Sequence, residues 1–415
     1  MKRERIYLCL AHLSGKEQKF ISEALNTNWV VPIGPNVDAF EADLEAFVGD
    51  GRKVVALASG TAALHLALVA SGVGEGDEVL AQTFSFCASS NPIKYVGARP
   101  VFIDSEKETW NISPELLEEA IRERERKTGR RPKAAVIVDI YGMPAKMKEI
   151  VEICDRYGVI MIEDAANAMG SRYEGRMCGT FGRYGVLSFN GNKMITTSGG
   201  GALICRDEEA KREIMFYATQ AREAYPYYQH EKIGYNYRMS NICAGIGRGQ
   251  MTVAEEHIEH HKKVCRLYRE LLEEVEGIKL HENPDERYDS NYWLSTITME
   301  EGVRVKGEER AYGEKVEGAV GGAAGVVHEG GGLHTECEPN RNVEAMRMAL
   351  DEAGIESRPL WKPMHRQPVY AKMPSYVNGV SEELFRKGLC LPSGPYVREE
   401  DVRYIVENIK ANIIR

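Results

Sequence analysis

The apolar and polar positions in the first half of the chain predict short strands that alternate with helices. Lys53 to Leu57 is a strand-like run that leads into SGTAALHLALVASG, where Ser59 or Thr61 can cap a helix with an apolar face. Further strand-like runs and the helix-like segments between them are Glu78 to Ala81, Cys87 to Val96, Pro100 to Asp104, Pro114 to Arg124, Ala134 to Ile140, Lys146 to Tyr157 and Val159 to Glu163. Such alternation is typical of an α/β fold with a mainly parallel sheet covered by helices on both faces.

The pattern changes near residue 250, which predicts a large domain over residues 1–250 and a smaller C-terminal α+β domain over residues 251–415. His257, His260 and His261 lie in a helix-like segment rich in Glu and Lys, and we expect this helix to face solvent rather than to bind a metal. From about 300 to 340 the chain is rich in Gly, Glu and Val without a steady period. This composition predicts a mobile insertion.

Composition and charge exclude several classes of protein. The 415 residues are 43% hydrophobic and 28% charged, as in a globular protein, and the net charge of −9 argues against nucleic acid or an anionic membrane as a partner. Val54 to Val73 is apolar, but Ser, Gly, Thr and His interrupt it, so we expect a strand, a turn and a helix instead of a membrane span. The nine cysteines are scattered and never spaced C-x-x-C, which favours reduced thiols in a cytoplasmic protein without a metal site.

One lysine stands out as a chemical candidate. In GVLSFNGNKMITTSGGG, residues 185–201, Lys193 lies between an apolar strand-like run and a series of hydroxyl residues and glycines. A lone lysine in such a loop is usually solvated. However, an amine beside small residues that offer N–H and O–H donors to an anion is what an enzyme using pyridoxal 5'-phosphate (PLP) through a Schiff base needs.

Two other candidate groups follow predicted strands, as Lys193 does. Residues 59–61, Ser-Gly-Thr, come after the first strand, and Asp164 ends the run IMIED. Ligands of parallel α/β sheets collect at the carboxyl ends of the strands, so we expect the three groups to lie close together. Asp164 could pair with a pyridinium nitrogen, although it could equally cap the following helix.

The remaining candidates would contact the phosphate and the ring of the cofactor. Gly60 and Thr61 at a helix N-terminus could hold a phosphate, with the hydroxyl of Ser188 as a further donor, although Ser-Gly-Thr is also an ordinary helix start. Phe86 could lie flat on the ring, or could belong to the core.

With these residues identified, the chain resembles the DegT/DnrJ/StrS-type nucleotide-sugar aminotransferases. The motifs SGTAALHLAL, ARPVFID, IEDAANAMG, SFNGNKMITTSGGG, GYNYRMSN, RPLWKPMH and CLPSG occur in that family's order and approximate spacing. The resemblance covers nearly the whole chain except roughly 300–340. It implies a PLP-dependent transferase of fold type I, with a mainly parallel mixed sheet in the large, PLP-binding domain and a smaller C-terminal domain.

The resemblance also assigns roles to individual residues. Lys193 matches the lysine that carries the cofactor, and Asp164 matches the partner of the pyridinium nitrogen. Asn236 would reach the cofactor phosphate of the neighbouring subunit, which implies a homodimer with shared active sites. The other matched residues are Gly60, Thr61 and Ser188 at the phosphate, Phe86 and Asn167 at the ring, and Arg238, Trp361 and His365 at the nucleotide sugar.

Within the family, SFNGNKMITTSGGG and RPLWKPMHRQ most resemble the UDP-4-amino-4,6-dideoxy-N-acetylglucosamine transaminases of the N-acetylbacillosamine pathway, which serves bacterial glycan synthesis. This implies transfer of an amino group from L-glutamate to C4 of a UDP-linked 4-keto-6-deoxy-N-acetylhexosamine. The alternatives are a 3-keto or a dTDP- or GDP-linked sugar, a dehydratase, or a ligand-sensing regulator of the same fold. Dehydrating relatives carry histidine in place of the lysine, so Lys193 favours amino transfer. A dinucleotide-dependent dehydrogenase would need a G-x-G-x-x-G motif after the first strand, and that motif is absent from the sequence there.

Overall fold

The computed structural model of this chain describes residues 3–311 and 337–414. Its strands are β1 (Lys53–Leu57), β2 (Glu78–Gln82), β3 (Arg99–Ile103), β4 (Ala134–Val138), β5 (Ile160–Asp164), β6 (Arg172–Tyr173), β7 (Arg176–Met177), β8 (Tyr184–Ser188), β9 (Gly201–Cys205), β10 (Ile278–Leu280), β11 (Tyr288–Asp289), β12 (Ser295–Met299), β13 (Arg304–Val305), β14 (Arg358–Pro359), β15 (Ser375–Tyr376), β16 (Gly388–Leu391) and β17 (Ile413–Ile414). Its α-helices are α1 (Glu17–Asn26), α2 (Pro35–Val48), α3 (Gly60–Ala70), α4 (Asn91–Tyr95), α5 (Pro114–Thr128), α6 (Met147–Tyr157), α7 (Glu208–Ala218), α8 (Asn241–Met251), α9 (Ala254–Leu272), α10 (Arg341–Glu352), α11 (Val380–Lys387) and α12 (Glu399–Asn412).

The largest sheet contains eight strands in the order β1-β9-β8-β5-β4-β2-β3-β15. Only β9 runs against its two neighbours, β1 and β8, and the other neighbouring pairs are parallel. Apolar residues of this sheet pack against helices on both faces, in clusters that include Phe40 of α2, Leu64 of α3 and Ile150 of α6. The carboxyl ends of the parallel strands therefore share one edge of the sheet.

The apolar segment Val54 to Val73 forms β1, a turn and α3, as its interrupting polar residues predict. The Ser59 hydroxyl caps α3 by accepting the backbone N–H of Ala62 at 3.0 Å. No helix in the part of the chain that the structure describes is both long and apolar enough to cross a membrane.

Two predicted elements end differently in the structure. The single helix predicted from Cys87 to Val96 is a 3₁₀ turn, Cys87–Ser89, followed by α4, because Pro92 lies in the first turn of α4 and has no N–H to continue a helix that precedes it. Strand β4 ends at Val138 rather than at Ile140. The chain turns there, and Tyr141 adopts a positive φ of 53°.

A second sheet, in the order β10-β12-β16-β14, is antiparallel and packs with α9, α10 and α12 around a separate apolar core. Two connections cross the predicted boundary at residue 250. Strand β15 joins the large sheet beside β3, and Ile6 near the N-terminus forms a bridge with Ile355. The division into domains of residues 1–250 and 251–415 stays a prediction.

The predicted mobile insertion at about 300–340 overlaps folded structure at its first residues. Strand β13 pairs with β17, and residues Glu308–Arg310 form a 3₁₀ turn, so the segment up to Ala311 belongs to the folded C-terminal part. Residues 312–336 of the predicted insertion lie outside the described residues.

The expectation that the histidines of α9 face solvent is wrong for His257 and His261. His257 and His261 are 4% and 0% exposed, and their Nδ1 atoms lie 3.1 Å from the Met194 carbonyl oxygen and 3.3 Å from the Tyr292 carbonyl oxygen. Burial lowers the pKa of His261 to about 3. These histidines share the buried face of α9 with Ile258, while the Glu and Lys residues that suggested exposure occupy the other face.

Candidate active site

Lys193 follows β8 and is half-buried at the edge of the large sheet. Its Nζ donates a hydrogen bond of 2.6 Å to Oδ1 of Asn167 and lies 4.2 Å from the centroid of the Trp293 ring. Burial lowers the pKa of Lys193 from 10.5 to about 8, although the charge of Asp164 acts in the opposite direction. Near neutral pH the amine can therefore be interconverted between its neutral and protonated forms at little cost.

Asp164 ends β5 and is 6% exposed. Its Oδ2 accepts a 2.7 Å hydrogen bond from the Ser89 hydroxyl, and its Oδ1 accepts the Ala166 N–H at 3.2 Å. Burial raises the pKa of Asp164, while these two hydrogen bonds and the charge of Lys193 lower it. A cation placed against this carboxylate would relieve the cost of burying it.

The start of α3 forms a cradle with the ends of β8 and β9. A Cβ atom added to Gly60 would lie 3.1 Å from Cβ of Ser188, and one added to Gly201 would lie 2.3 Å from the backbone nitrogen of Gly60. Glycines thus allow three segments of backbone to approach one another. The first N–H groups of α3, including those of Gly60 and Thr61, have no acceptor within the helix and can bind an anion, with the Ser188 hydroxyl beside them.

Aromatic side chains form a wall of the site. The Phe86 ring is 54% exposed, and its centroid lies 5.8 Å from that of Trp361. Trp361 in turn lies 4.8 Å from the Tyr141 ring and 6.2 Å from the Trp293 ring. The exposed face of Phe86 is available to a flat ligand, as its assignment to the cofactor ring requires.

Two residues expected at the nucleotide sugar are instead engaged within the chain. Arg238 is buried, and its Nη1 donates to Oε1 of Glu41 at 2.6 Å and to the Ala56 carbonyl at 3.2 Å. His365 has a side chain that is 8% exposed, with Nδ1 at 2.7 Å from Oγ1 of Thr83 and Nε2 at 3.0 Å from Oε1 of Glu382. In this geometry both side chains connect distant parts of the chain, and the buried Nε of Arg238 has no hydrogen-bond partner among the described residues.

Asn236 is exposed on the connection between α7 and α8. Its backbone forms a bridge with Thr219. The contact expected of Asn236 is with a second subunit, and its exposure leaves the side chain available for one.

The sequence patterns missed several residues that contact the predicted ones. The Trp293 ring contacts the amine of Lys193, and the side chain of Asn291 donates a hydrogen bond to the carbonyl oxygen of Asn167. The Ser89 hydroxyl donates to Asp164. Ser89 lies three residues after the predicted Phe86, but Trp293 is far from Lys193 along the chain and no local motif marks it. Only the tertiary structure identifies it.

These features fit PLP, because each part of that molecule has a matching group. The cradle at Gly60 has donors for a phosphate, the buried carboxylate of Asp164 suits a protonated ring nitrogen, the open face of Phe86 suits a ring, and Lys193 has an amine of lowered pKa. A mixed sheet with such a lysine at its carboxyl edge defines a PLP-dependent transferase of fold type I.

Comparison with known proteins identifies the family. Residues 12–319 and 331–410 match the DegT/DnrJ/EryC1/StrS aminotransferase family. EpsN of Bacillus subtilis (strain 168), assigned to the pyridoxal phosphate-dependent aminotransferases, is 43% identical over 97% of this chain and 95% of its own length. GDP-perosamine synthase of Escherichia coli O157:H7 is 33% identical over 96% of this chain and 95% of its own. A DegT DnrJ EryC1 StrS aminotransferase from Brucella abortus has a crystal structure that matches with a TM-score of 0.81 at 27% identity, covering 96% of this chain and 95% of that one.

This chain therefore belongs to the DegT/DnrJ/EryC1/StrS aminotransferase family and is a PLP-dependent aminotransferase of nucleotide sugars. The predictions of fold class, enzyme class and cofactor are confirmed. The match omits only residues 320–330 between its two ranges, so the departure from the family is shorter than the predicted 300–340.

Proposed function

We propose that this enzyme transfers an amino group to C4 of a nucleotide-linked 4-keto-6-deoxy sugar and that Lys193 is the residue that carries the cofactor. The observation that supports this role is the placement of the Lys193 amine, with its pKa of about 8, in a hydrogen bond with Asn167 and within electrostatic reach of the buried Asp164. PLP, when bound, supplies a ring that acts as an electron sink.

The residues of the chain have separate tasks in this proposal. The start of α3, with Gly60 and Thr61, holds the phosphate together with Ser188. Asp164 would keep the ring nitrogen protonated, and Phe86 would cover one face of the ring. Lys193 Nζ would take a proton from the α-carbon of the amino donor and later release it, because an amine with a pKa near the working pH can both accept and donate a proton.

For the substrate we favour a UDP-linked 4-keto-6-deoxy-N-acetylhexosamine, with L-glutamate as the amino donor. The similarity of residues 188–201 and 358–367 to the corresponding motifs of UDP-4-amino-4,6-dideoxy-N-acetylglucosamine transaminases supports this choice. The product would be UDP-4-amino-4,6-dideoxy-N-acetylglucosamine, a precursor for bacterial glycans.

A GDP-linked keto sugar is the second candidate. Three relatives that are 30–33% identical over at least 96% of this chain are named GDP-perosamine synthase. Purified enzyme incubated with L-glutamate and a panel of UDP-, GDP- and dTDP-linked keto sugars separates the candidates, with the aminated product identified by mass and NMR. Amination of the GDP sugar alone would replace the UDP proposal, and amination of no nucleotide sugar would contradict both.

We also propose a homodimer in which Asn236 completes the site of the other subunit. The segment that carries Asn236 exposes large apolar side chains, with Tyr228 79% exposed and Ile233 84% exposed. Clustered apolar residues of this kind favour burial against a partner.

The role of Lys193 has a direct test. Borohydride reduction fixes the cofactor on the lysine that carries it, so peptide mapping should find the label on Lys193 and Lys193→Ala should abolish it. A label on another lysine, or multiple turnover by Lys193→Ala, would overturn the proposal.

A further inference from the structure

Trp293 makes two contacts with the loop that carries Lys193. Its ring centroid lies 4.2 Å from Lys193 Nζ, and its Nε1–H donates a 2.6 Å hydrogen bond to the carbonyl oxygen of Asn192, the preceding residue. Trp293 is 3% exposed. An ammonium over the face of a buried indole is attracted by the electron density of the ring, and tryptophan is the strongest such partner among the aromatic side chains.

The position of Trp293 is itself fixed by hydrogen bonds of Asn291. The backbone N–H of Trp293 donates to Oδ1 of Asn291 at 2.8 Å, and Nδ2 of Asn291 donates to the carbonyl oxygens of Asn167 and Met169 at 3.0 and 2.9 Å. Asn291 is fully buried. One amide group therefore connects the two residues that contact the lysine amine, Asn167 and Trp293.

We propose that Trp293 is a positioning residue for Lys193, whose ammonium rests on the indole face and is held there beside Asn167. This inference rests on the proposed role of Lys193. A lysine side chain has several freely rotating bonds, so a free amine with a single hydrogen bond would sample many positions. With the indole below it and the Asn167 oxygen beside it, the amine stays near the point from which it must exchange protons.

The contact also has an electrostatic consequence. Burial favours the neutral amine, whereas the indole face favours the ammonium, so Trp293 limits how far the pKa of Lys193 falls. Replacing Trp293 by a small residue would change hydration as well as the ring. A test must therefore weaken the electron density of the indole without changing its shape.

Fluorinated tryptophan meets this requirement. The full-length protein is produced with its four tryptophans carrying zero, one, two or three fluorine atoms and is freed of cofactor. Limiting acetic anhydride then labels the lysines at a series of pH values, and peptide quantification gives the pKa of Lys193. We expect this pKa to fall with each fluorine, by about one unit over the series.

Two variants identify the ring responsible. In Trp293→Phe the same series should leave the pKa of Lys193 constant, because no fluorine then lies under Nζ. In Trp361→Phe the full decrease should remain, because Trp361 packs on Trp293 at 6.2 Å without being the ring under the amine. A constant pKa in the unmutated protein, or an equal decrease in Trp293→Phe, would overturn the proposal. The fluorinated unmutated protein decides the question even if a variant fails to fold.

This experiment is independent of the cofactor assignment. It measures the amine of Lys193 in cofactor-free protein, whereas borohydride mapping measures which lysine carries PLP. A fluorine dependence together with a label on another lysine would contradict the proposed function and leave the contact established. A borohydride label on Lys193 together with a pKa that does not depend on fluorine would contradict only the role of Trp293.

Discussion

At the scale of single residues, the site contains groups that are costly to the folded chain. Lys193 is half-buried and its pKa is lowered to about 8, so below that pH the folded protein holds a charge that burial disfavours. Asp164 is a buried carboxylate whose pKa burial raises. Ionisable groups with pKa values shifted by burial are typical of catalytic sites, and they reduce the stability of the fold in exchange for reactivity.

Lys193→Met should therefore stabilise the cofactor-free protein at pH 7, by up to about 3 kcal/mol. Between about pH 8 and 10.5 the unfolded chain keeps a proton that folded Lys193 has released, so the difference from the unmutated protein should shrink as pH rises through this interval. Urea unfolding at pH 7 and pH 10 measures it. The exposed Lys94→Met is the control and should change stability by less than about 0.5 kcal/mol. A Lys193→Met protein that is less stable at pH 7 would contradict the expected cost of burial.

At the scale of elements, the ends of β4 and β5 carry a buried acidic pair. Asp139 and Glu163 are both fully buried. Burial and the charge of Glu163 raise the pKa of Asp139 well above its usual range, and burial also raises the pKa of Glu163. Oδ2 of Asp139 has no hydrogen-bond donor among the described residues, whereas Glu163 accepts the N–H groups of Gly179 and Phe181 at 2.6 and 2.8 Å. Asp139 is thus the member that holds a proton.

Amide substitutions at these two positions should affect the stability of the protein differently. In the unmutated protein, unfolding releases the proton of Asp139 at any pH between its unfolded and its raised folded pKa, so stability falls as pH rises through that interval. Asp139→Asn keeps a donor toward Glu163 and should make stability less dependent on pH between 5 and 8. Glu163→Gln must point an NH₂ group at a backbone N–H and should cost about 2 kcal/mol. Urea unfolding of both variants at pH 5 and 8 measures these effects. A greater loss of stability in Asp139→Asn than in Glu163→Gln would refute the assignment of the proton to Asp139.

The contact between β9 and α3 gives a second prediction at this scale. A Cβ atom on Gly201 would lie 2.3 Å from the Gly60 nitrogen, so Gly201→Ala should displace the helix start, destabilise the protein by about 1–3 kcal/mol and weaken PLP binding. In the same glycine run, Gly199 has no atom within 4 Å of an added Cβ, and Gly199→Ala should have little effect. Unfolding and PLP titration compare the two variants. Equal effects would mean that the close approach does not build the phosphate cradle.

At the scale of the whole molecule, the proposed sharing of active sites between two subunits predicts complementation between inactive variants. In a mixed dimer of Lys193→Ala and Asn236→Ala chains, one of the two sites receives both native residues. Subunit exchange in an equal mixture should then restore about a quarter of the unmutated activity, because half of the dimers are mixed and each has one intact site. Activity is measured before and after exchange. A mixture that stays inactive although exchange is demonstrated would contradict a role for Asn236 across the interface.

The sequence by itself determined those features that depend on neighbouring residues. The bounds of β1, a helix cap at Ser59 or Thr61 and the lysine-centred motif were all predicted, because hydrophobic period, capping and glycine turns act over a few residues. The fold class and the cofactor followed from the order of several such motifs, and the family match confirms both.

Only the tertiary structure decided which side chains meet across the chain. The composition around His257 and His261 suggested exposure, yet these residues are buried, because packing selects one face of a helix and local composition does not identify that face. Arg238 is paired with Glu41, and Trp293 lies under Lys193. Contacts between residues so distant along the chain depend on how sheets and helices pack, and no local pattern of residues encodes them.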